Sequence, residues 1–277
     1  MRVAAIQLNS QHDKDLNIKT AVDRVAVAAN GGARFVLLPE YVDYLGPKAG
    51  AGEAAESEDG PAHAAFSEAA RVNEVWLHCG SIRISAPDGR AFNTSVIFGP
   101  DGSVLTRYKK IHLFDVDIPD GVTYRESDTV APGNELVTCE VGEWKVGLTI
   151  CYDLRFPELY RGLTLAGADL LVVPAAFTFY TGRDHWETLL RARAIESQCY
   201  VLAAGQVGTH TADGGVTART NGRSMLIDPW GTVVACASDT TDIVFGELDR
   251  SRMETVRGEV PSLYNRRPDV YAPAPLP

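Results

Sequence analysis

Apolar runs and polar breaks alternate along the whole chain, and their spacing predicts its elements. "RVAAIQL" at 2–8 reads as a buried strand. In "DLNIKTAVDRVAVAANGG", Ile18, Val22, Val25, Ala26 and Ala29 recur on one helical face until Gly31 and Gly32 stop it. "ARFVLLPE" at 33–40 is a short apolar strand ended by Pro39, and residues 46–60, rich in Gly, Ala and Glu, read as an exposed loop. "PAHAAFSEAARVN" is a helix with Pro near its start. "VWLHCGSIRI" at 75–84 and "FNTSVIFGPDGSVLTRYKK" at 92–110 are strands, the second a hairpin turned by "GPDG". Residues 111–135, with Pro119, Gly121, Pro132 and Gly133, are irregular, and a long loop in a compact domain is often functional. Then come a strand "WKVGLTIC", a helix near "PELYRGLTLAG" and a strand "ADLLVVPAA". A helix over 184–198 opens on Asp184 as cap with Glu187 three residues on, and strands follow at "YVLAAGQV", "GRSMLIDP", "GTVVACA" and "DIVFGELD". Strands alternating with helices, with hairpins between, predict a mixed α/β layered domain in which helices cover sheets. No linker shows a composition shift, so residues 1–277 read as one domain, with a Pro-rich tail from about 258 to 277 lying over the surface or a neighbouring subunit.

Composition narrows the class. The 277 residues are 45% hydrophobic and 22% charged, which is globular and long enough for a sizeable core. A net charge of -10, with basic clusters no longer than "RYKK" at 107–110 and "NRRP" at 265–268, argues against nucleic acid as partner. The five cysteines are odd in number, scattered and without a CxxC, which speaks against a disulfide framework or structural zinc and for reduced thiols in a cytoplasmic protein. The apolar stretch at the N-terminus is too short for a signal peptide, and no run approaches the ~18 apolar residues that a membrane span requires. Neither GxGxxG nor GxxxxGK[ST] occurs, so no dinucleotide or phosphate loop is indicated.

Three apolar runs end in reactive side chains: "FVLLPE" in Glu40, "VLTRYKK" in Lys110 and "VGLTIC" in Cys151. Each has an ordinary reading: a solvated strand end, an exposed lysine, a cysteine filling the core. Together they are what amide hydrolysis by a thiol needs. A carboxylate takes the thiol proton, the thiolate attacks the carbonyl carbon, and a cation with a backbone N–H holds the oxyanion. Ammonia leaves, and water activated by the same carboxylate hydrolyses the thioester. Lys110 is the candidate cation and the N–H of Tyr152 the candidate second donor. A Cys-His pair is the rival enzyme arrangement, but neither His112 nor His185 sits in such a signature, and His112 is expected to brace the site by hydrogen bonding.

"LPE" at 38–40, "YKKIHLFD" at 108–115 and "ICYDLRFPE" at 150–158 resemble the three motifs of the nitrilase superfamily, and the likeness runs from "AAIQLN" to "RRPDVY". The resemblance implies a four-layer α-β-β-α sandwich, Glu40 as base, Lys110 as oxyanion-side cation and Cys151 as nucleophile. It adds Glu126, in "TYRES", as a second glutamate that bonds the lysine or orients substrate. No metal or organic cofactor is implied, and a homodimer or larger homo-oligomer is. "CYDLRFPE" resembles the branch containing omega-amidase and deaminated glutathione amidase, which implies a small carboxylate-bearing α-keto acid amide as substrate, cleaved to acid plus ammonia. The displaced Gly after "DIP", with Asp120 before Gly121, and the aromatic "FTFY" at 177–180 depart from that pattern, and Phe179 and Tyr180 could reshape the pocket.

A substrate carboxylate calls for a cation, and Arg155, four residues past the nucleophile, is the candidate fork, with a salt bridge to Asp153 or Glu158 as its ordinary alternative. Phe177 and Thr181 are pocket walls by resemblance, and Tyr41, beside the base, contacts substrate or packs. The alternative substrates are an N-carbamoyl amine or amino acid, or another aliphatic amide. A non-catalytic interaction protein is the reading from another class, and the presence of all three triad residue types argues against it.

Overall fold

The alternating side chains of Arg2–Gln7 serve two cores at once: Val3 and Ala5 enter one, Ala4 and Ile6 the other. Phe35–Leu37 does the same, Phe35 and Leu37 joining the first core and Val36 the second. A strand buried on both faces has no polar positions to alternate with, which is why these segments read as unbroken apolar runs. In the computed structural model, which describes residues 1–117, 123–211 and 217–271, this produces two sheets packed face to face with helices outside both.

The helices are α1 (Lys14–Asn30), α2 (Lys48–Ala54), α3 (Pro61–Asn73), α4 (Pro157–Leu165), α5 (Phe179–Ser197) and α6 (Arg250–Glu259). The first sheet runs Asp242–Glu247, Arg2–Gln7, Phe35–Leu37, Trp76–Ser85, Ala91–Phe98, Val104–Lys109, with Val130–Ala131 also paired to Ala91–Phe98. The second runs Val233–Cys236, Met225–Ile227, Tyr200–Gly205, Leu170–Ala175, Trp144–Leu148, Thr138–Val141. Each sheet has a parallel trio: the strands beginning at Arg2, Phe35 and Trp76 in the first, and at Trp144, Leu170 and Tyr200 in the second. α1 and α3 bury Ile18, Val25, Phe66 and Ala70 against the outer face of the first sheet, and α4 and α5 bury Leu163, Trp186 and Leu190 against the second. The order helix, sheet, sheet, helix is the expected four-layer sandwich. Among the described residues no helix is long and apolar enough to cross a membrane.

Several local expectations change. Residues 46–60 are not all exposed loop: α2 forms there because Ala51 and Ala54 bury against Tyr44. α5 starts at Phe179 with Thr178 as N-cap, so Asp184 is no cap but an exposed partner of Arg183. The earlier start has a tertiary cause. The Asn221 N–H donates to the Phe177 carbonyl and Thr178 bridges Thr220, so the chain is anchored just before Phe179, and Gly182 leaves room for Asn221 against the helix. The irregular stretch holds a small hairpin, Asp115–Asp117 with Thr123–Arg125, and a 3-10 turn, Glu126–Asp128. Glu40 and Cys151 do not end strands but stand three residues past Leu37 and Leu148, while Lys110 directly follows Val104–Lys109. α6 and the strands Thr138–Val141 and Thr217–Asn221 were not read from the pattern. Residues 119–121 and 272–277 lie outside the described residues, and the tail from 260 to 271 is largely exposed.

His78 is out of place in this core. It is paired with Leu37 and Ile97, has no exposed surface, and neither ring nitrogen has a hydrogen-bond partner among the described residues. Burial lowers its pKa from 6.5 to about 3, so the folded chain keeps it neutral while the unfolded chain protonates it first. Its contribution to stability is therefore lost as pH falls from about 6.5 toward 3, at about 1.4 kcal/mol per pH unit. His78→Leu is expected to gain stability over the parent as pH drops, by about 2 kcal/mol in total between about pH 7 and 5, measured by urea unfolding at about pH 7, 6 and 5. A difference that stays constant across those conditions would show that His78 does not titrate on unfolding.

Candidate active site

The three predicted catalytic residues meet where the parallel strands of both sheets end, the edge at which α/β sheets commonly place ligands. Glu40 follows the strand Phe35–Leu37. A side chain at Gly80 on the neighbouring strand would run into the Leu38 carbonyl, so glycine there lets the "LPE" turn close. Tyr41 then takes a left-handed conformation, φ 54°, and its N–H donates to Ser81 Oγ at 2.9 Å. Lys110 arrives on the adjacent hairpin, where the pairing of Thr94 with Lys109 sets Asn93 beside it. Cys151 opens the 3-10 helix Cys151–Arg155 with φ 49°, a conformation that costs a non-glycine residue about 1–3 kcal/mol and recurs at functional sites.

These groups form one buried network. Lys110 Nζ donates to Glu40 Oε1 at 2.9 Å and to Glu126 Oε2 at 2.8 Å. Asn93 Nδ2 donates to the same Glu40 oxygen at 2.9 Å, and the Ala176 N–H, just past the strand Leu170–Ala175, donates to Glu40 Oε2 at 2.7 Å. Glu126 also accepts from the Tyr41 hydroxyl at 2.6 Å and from the Phe114 N–H at 2.6 Å. The Glu40, Lys110 and Glu126 side chains are each 2% exposed. Tyr152 lies in the first turn of its 3-10 helix, where N–H groups have no intrahelical acceptor, so it has a donor to offer an oxyanion.

A cavity of about 430 Å³ opens onto this network, and Glu40, Lys110, Glu126, Cys151 and Tyr152 line it. So do the expected walls Phe177 and Thr181, together with Tyr41, Phe179 and Tyr180. Arg155 is the one predicted site residue that does not line it. Its guanidinium lies 5.2 Å from the Phe177 ring and 5.9 Å from that of Tyr152, and it meets His185 Nδ1 at 3.3 Å. The arginines that line the cavity are Arg183 and Arg219.

The carbon-nitrogen hydrolase family model matches residues 2–258. The chain belongs to that family. It is 40% identical over 267 residues to the deaminated glutathione amidase of Synechocystis, covering 95% of this chain and 97% of that one. Against the rat deaminated glutathione amidase the identity is 41%, over 97% of this chain and 83% of that one. The fold superposes on the Caenorhabditis elegans NitFhit protein with a TM-score of 0.91 at 39% identity, covering 98% of this chain and 66% of that longer one. Nit3 of Saccharomyces cerevisiae, a member of branch 10 of the nitrilase superfamily, gives 0.83 at 30% identity over 94% of each chain. The carbon-nitrogen hydrolase family and these amidase relatives make the protein an amidohydrolase.

Within this hydrolase, Asp153 does more than its sequence position suggested. Instead of pairing with Arg155, the fully buried carboxylate accepts from the Ile150 N–H at 2.8 Å, the Tyr108 hydroxyl at 2.6 Å and the His112 N–H at 3.1 Å. His112 Nδ1 lies 2.8 Å from it, and the imidazole stacks on Phe156 with centroids 3.6 Å apart. Asp153 thus ties the nucleophile's turn to the lysine's strand, and His112 braces the site as expected. Asn93 was missed. The sequence carried no signal for it, since a register shift between Ile97 and Phe98 moves the hairpin by one residue, and counting on from the Phe98–Val104 pair would set Phe92 opposite the lysine.

Burial opposes the Lys110 charge, but Glu126 and Glu40 outweigh it and hold its pKa well above the ordinary value. Burial likewise opposes the Glu126 charge, and Lys110 with the Tyr41 and Phe114 donors keeps that carboxyl below the usual range. For Cys151, burial and the adjacent Glu40 raise the thiol well above its ordinary value, with Lys110 pulling the other way. The resting nucleophile is therefore a thiol. Its alkylation by iodoacetamide, followed by mass spectrometry of the Cys151 peptide, is expected to rise about tenfold per pH unit between about pH 7 and 9 without a plateau. A plateau already reached near neutral pH would mean a resting thiolate.

Proposed function

We propose that the protein hydrolyses the amide of a small α-keto acid, in the manner of a deaminated glutathione amidase, through a thioester on Cys151. The observation that carries this is the Lys110 side chain buried between Glu40 and Glu126, with Cys151 beside them at the floor of a cavity large enough for an amide substrate. Because the cysteine rests as a thiol, attack on the carbonyl carbon and transfer of the Sγ proton to Glu40 proceed together. Lys110 and the Tyr152 N–H face the oxygen on which charge develops. Glu40 returns the proton to the departing nitrogen, then takes one from the water that cleaves the thioester. Glu126 keeps Lys110 charged and in place. Arg155 is the cation we assign to the keto acid's carboxylate. It comes from the nucleophile's own turn, flanks the cavity walls Tyr152 and Phe177, and has no carboxylate partner among the described residues.

The leaving group follows from the substrate's chemistry. Glutathione joins its glutamyl side chain to cysteinylglycine by an amide, so hydrolysis of the deaminated form releases a dipeptide and not ammonia. The product shared with α-ketoglutaramate, which does release ammonia, is α-ketoglutarate, and that is the species to measure. Purified protein is expected to form it from deaminated glutathione, with N-carbamoyl amino acids and aliphatic nitriles left intact. Cys151→Ala should lower turnover by about 10⁴-fold or more with the thermal midpoint preserved. Turnover of the carbamoyl compound without either keto acid amide would retain the triad and reject the substrate class.

A further inference from the structure

The cavity has a floor and a mouth of different character. Glu40, Lys110, Glu126 and Cys151 at the floor are buried, whereas Tyr180, Arg183 and Arg219, which line the same cavity, are exposed. Arg219 stands on the strand Thr217–Asn221. The antiparallel bridge between Thr178 and Thr220 and the bond from the Asn221 N–H to the Phe177 carbonyl fix that strand against the start of α5, which sets Arg219 opposite Phe179. The guanidinium carbon lies 3.8 Å from the centroid of the Phe179 ring. At that distance the cation is held over the ring, a contact that uses none of its N–H groups as hydrogen-bond donors.

Among the described residues the Arg219 guanidinium has no carboxylate partner and no hydrogen bond, whereas Arg183 pairs with Asp184 at 3.2 Å. Arg219 therefore presents an uncommitted planar fork at the cavity mouth, pre-oriented by an aromatic platform. Such a fork matches a carboxylate held in its plane. The order of events says which half of the substrate reaches it. The acyl group is bonded to Cys151 at the floor after the first step, and the amine must leave before water enters. The departing amine therefore occupies the solvent side, and a cavity of about 430 Å³ leaves space there beyond a short keto acid.

We propose that Arg219, held by Phe179, binds the terminal carboxylate of a peptide-like leaving group and so selects extended amides over those that release only ammonia. The inference rests on the keto acid amide reading above. It is tested with the whole protein by comparing kcat/KM for deaminated glutathione, for its analogue ending in glycinamide in place of glycine, and for α-ketoglutaramate. The parent is expected to prefer the acid over the glycinamide analogue by about tenfold. Arg219→Ala should abolish that preference, Arg219→Lys should restore part of it, and the loss on α-ketoglutaramate should be smaller than on deaminated glutathione. Because the preference is a ratio within one variant, a fraction of misfolded protein cancels. Arg219→Ala retaining the full preference for the acid would overturn this subsite while the amidase reading stands. A parent that hydrolyses none of the three compounds would overturn the keto acid reading and the subsite with it.

Discussion

A buried ammonium group, held between two carboxylates, is the constraint around which this molecule is arranged. Taking each of these charges out of water costs several kcal/mol, and their mutual attraction offsets that only if every remaining lone pair finds a donor. Asn93, Tyr41 and the N–H groups of Phe114 and Ala176 supply those donors. They come from both sheets and from the loop between them. The cluster therefore demands that the two sheets meet in one register at one edge, and the left-handed turns at Tyr41 and Cys151 are where the backbone accommodates it.

The charge balance also sets the chemistry. Burial and the adjacent Glu40 disfavour an anion on Cys151, with Lys110 pulling the other way. In the proposed reaction the thiol gives up its proton as the substrate's carbonyl oxygen takes up the developing charge. Asp153 acts on the same geometry from behind. With the Ile150 N–H, the Tyr108 hydroxyl and His112 on one buried carboxylate, the nucleophile's turn and the lysine's strand move as a unit.

Chemistry and selectivity sit on different parts of the fold. The floor is built where rigid strands end, and it is held by a network that tolerates little change. The mouth is built from the start of α5 and the strand Thr217–Asn221, elements joined by only a few backbone bonds. Under the Arg219 proposal, substitutions at the mouth alter which amines are accepted and leave the buried charges undisturbed. The aromatic "FTFY" stretch, a departure from the expected pattern, belongs to that outer wall, with Phe179 under Arg219 and Tyr180 half exposed.

The chain's sequence by itself determined the layers and the reactive trio. Unbroken apolar runs such as "RVAAIQL" declare strands buried on both faces, and Glu40, Lys110 and Cys151 stand out together because a carboxylate, a cation and a thiol are the set that amide hydrolysis needs. What the sequence did not disclose depends on contacts between distant segments. The start of α5 is set by Asn221 and Thr220, some forty residues on, and so overrides the local cap signal at Asp184. Asp153 and Arg155 are neighbours of opposite charge, but the tertiary structure gives the first to His112, Tyr108 and Ile150 and sets the second beside aromatic rings. Arg219 gives no local signal, because its place at the cavity exists only once its strand pairs with the segment before α5. Periodicity reports which face of an element is buried, whereas the partner of a charged side chain is decided by which elements the packing brings to the same edge.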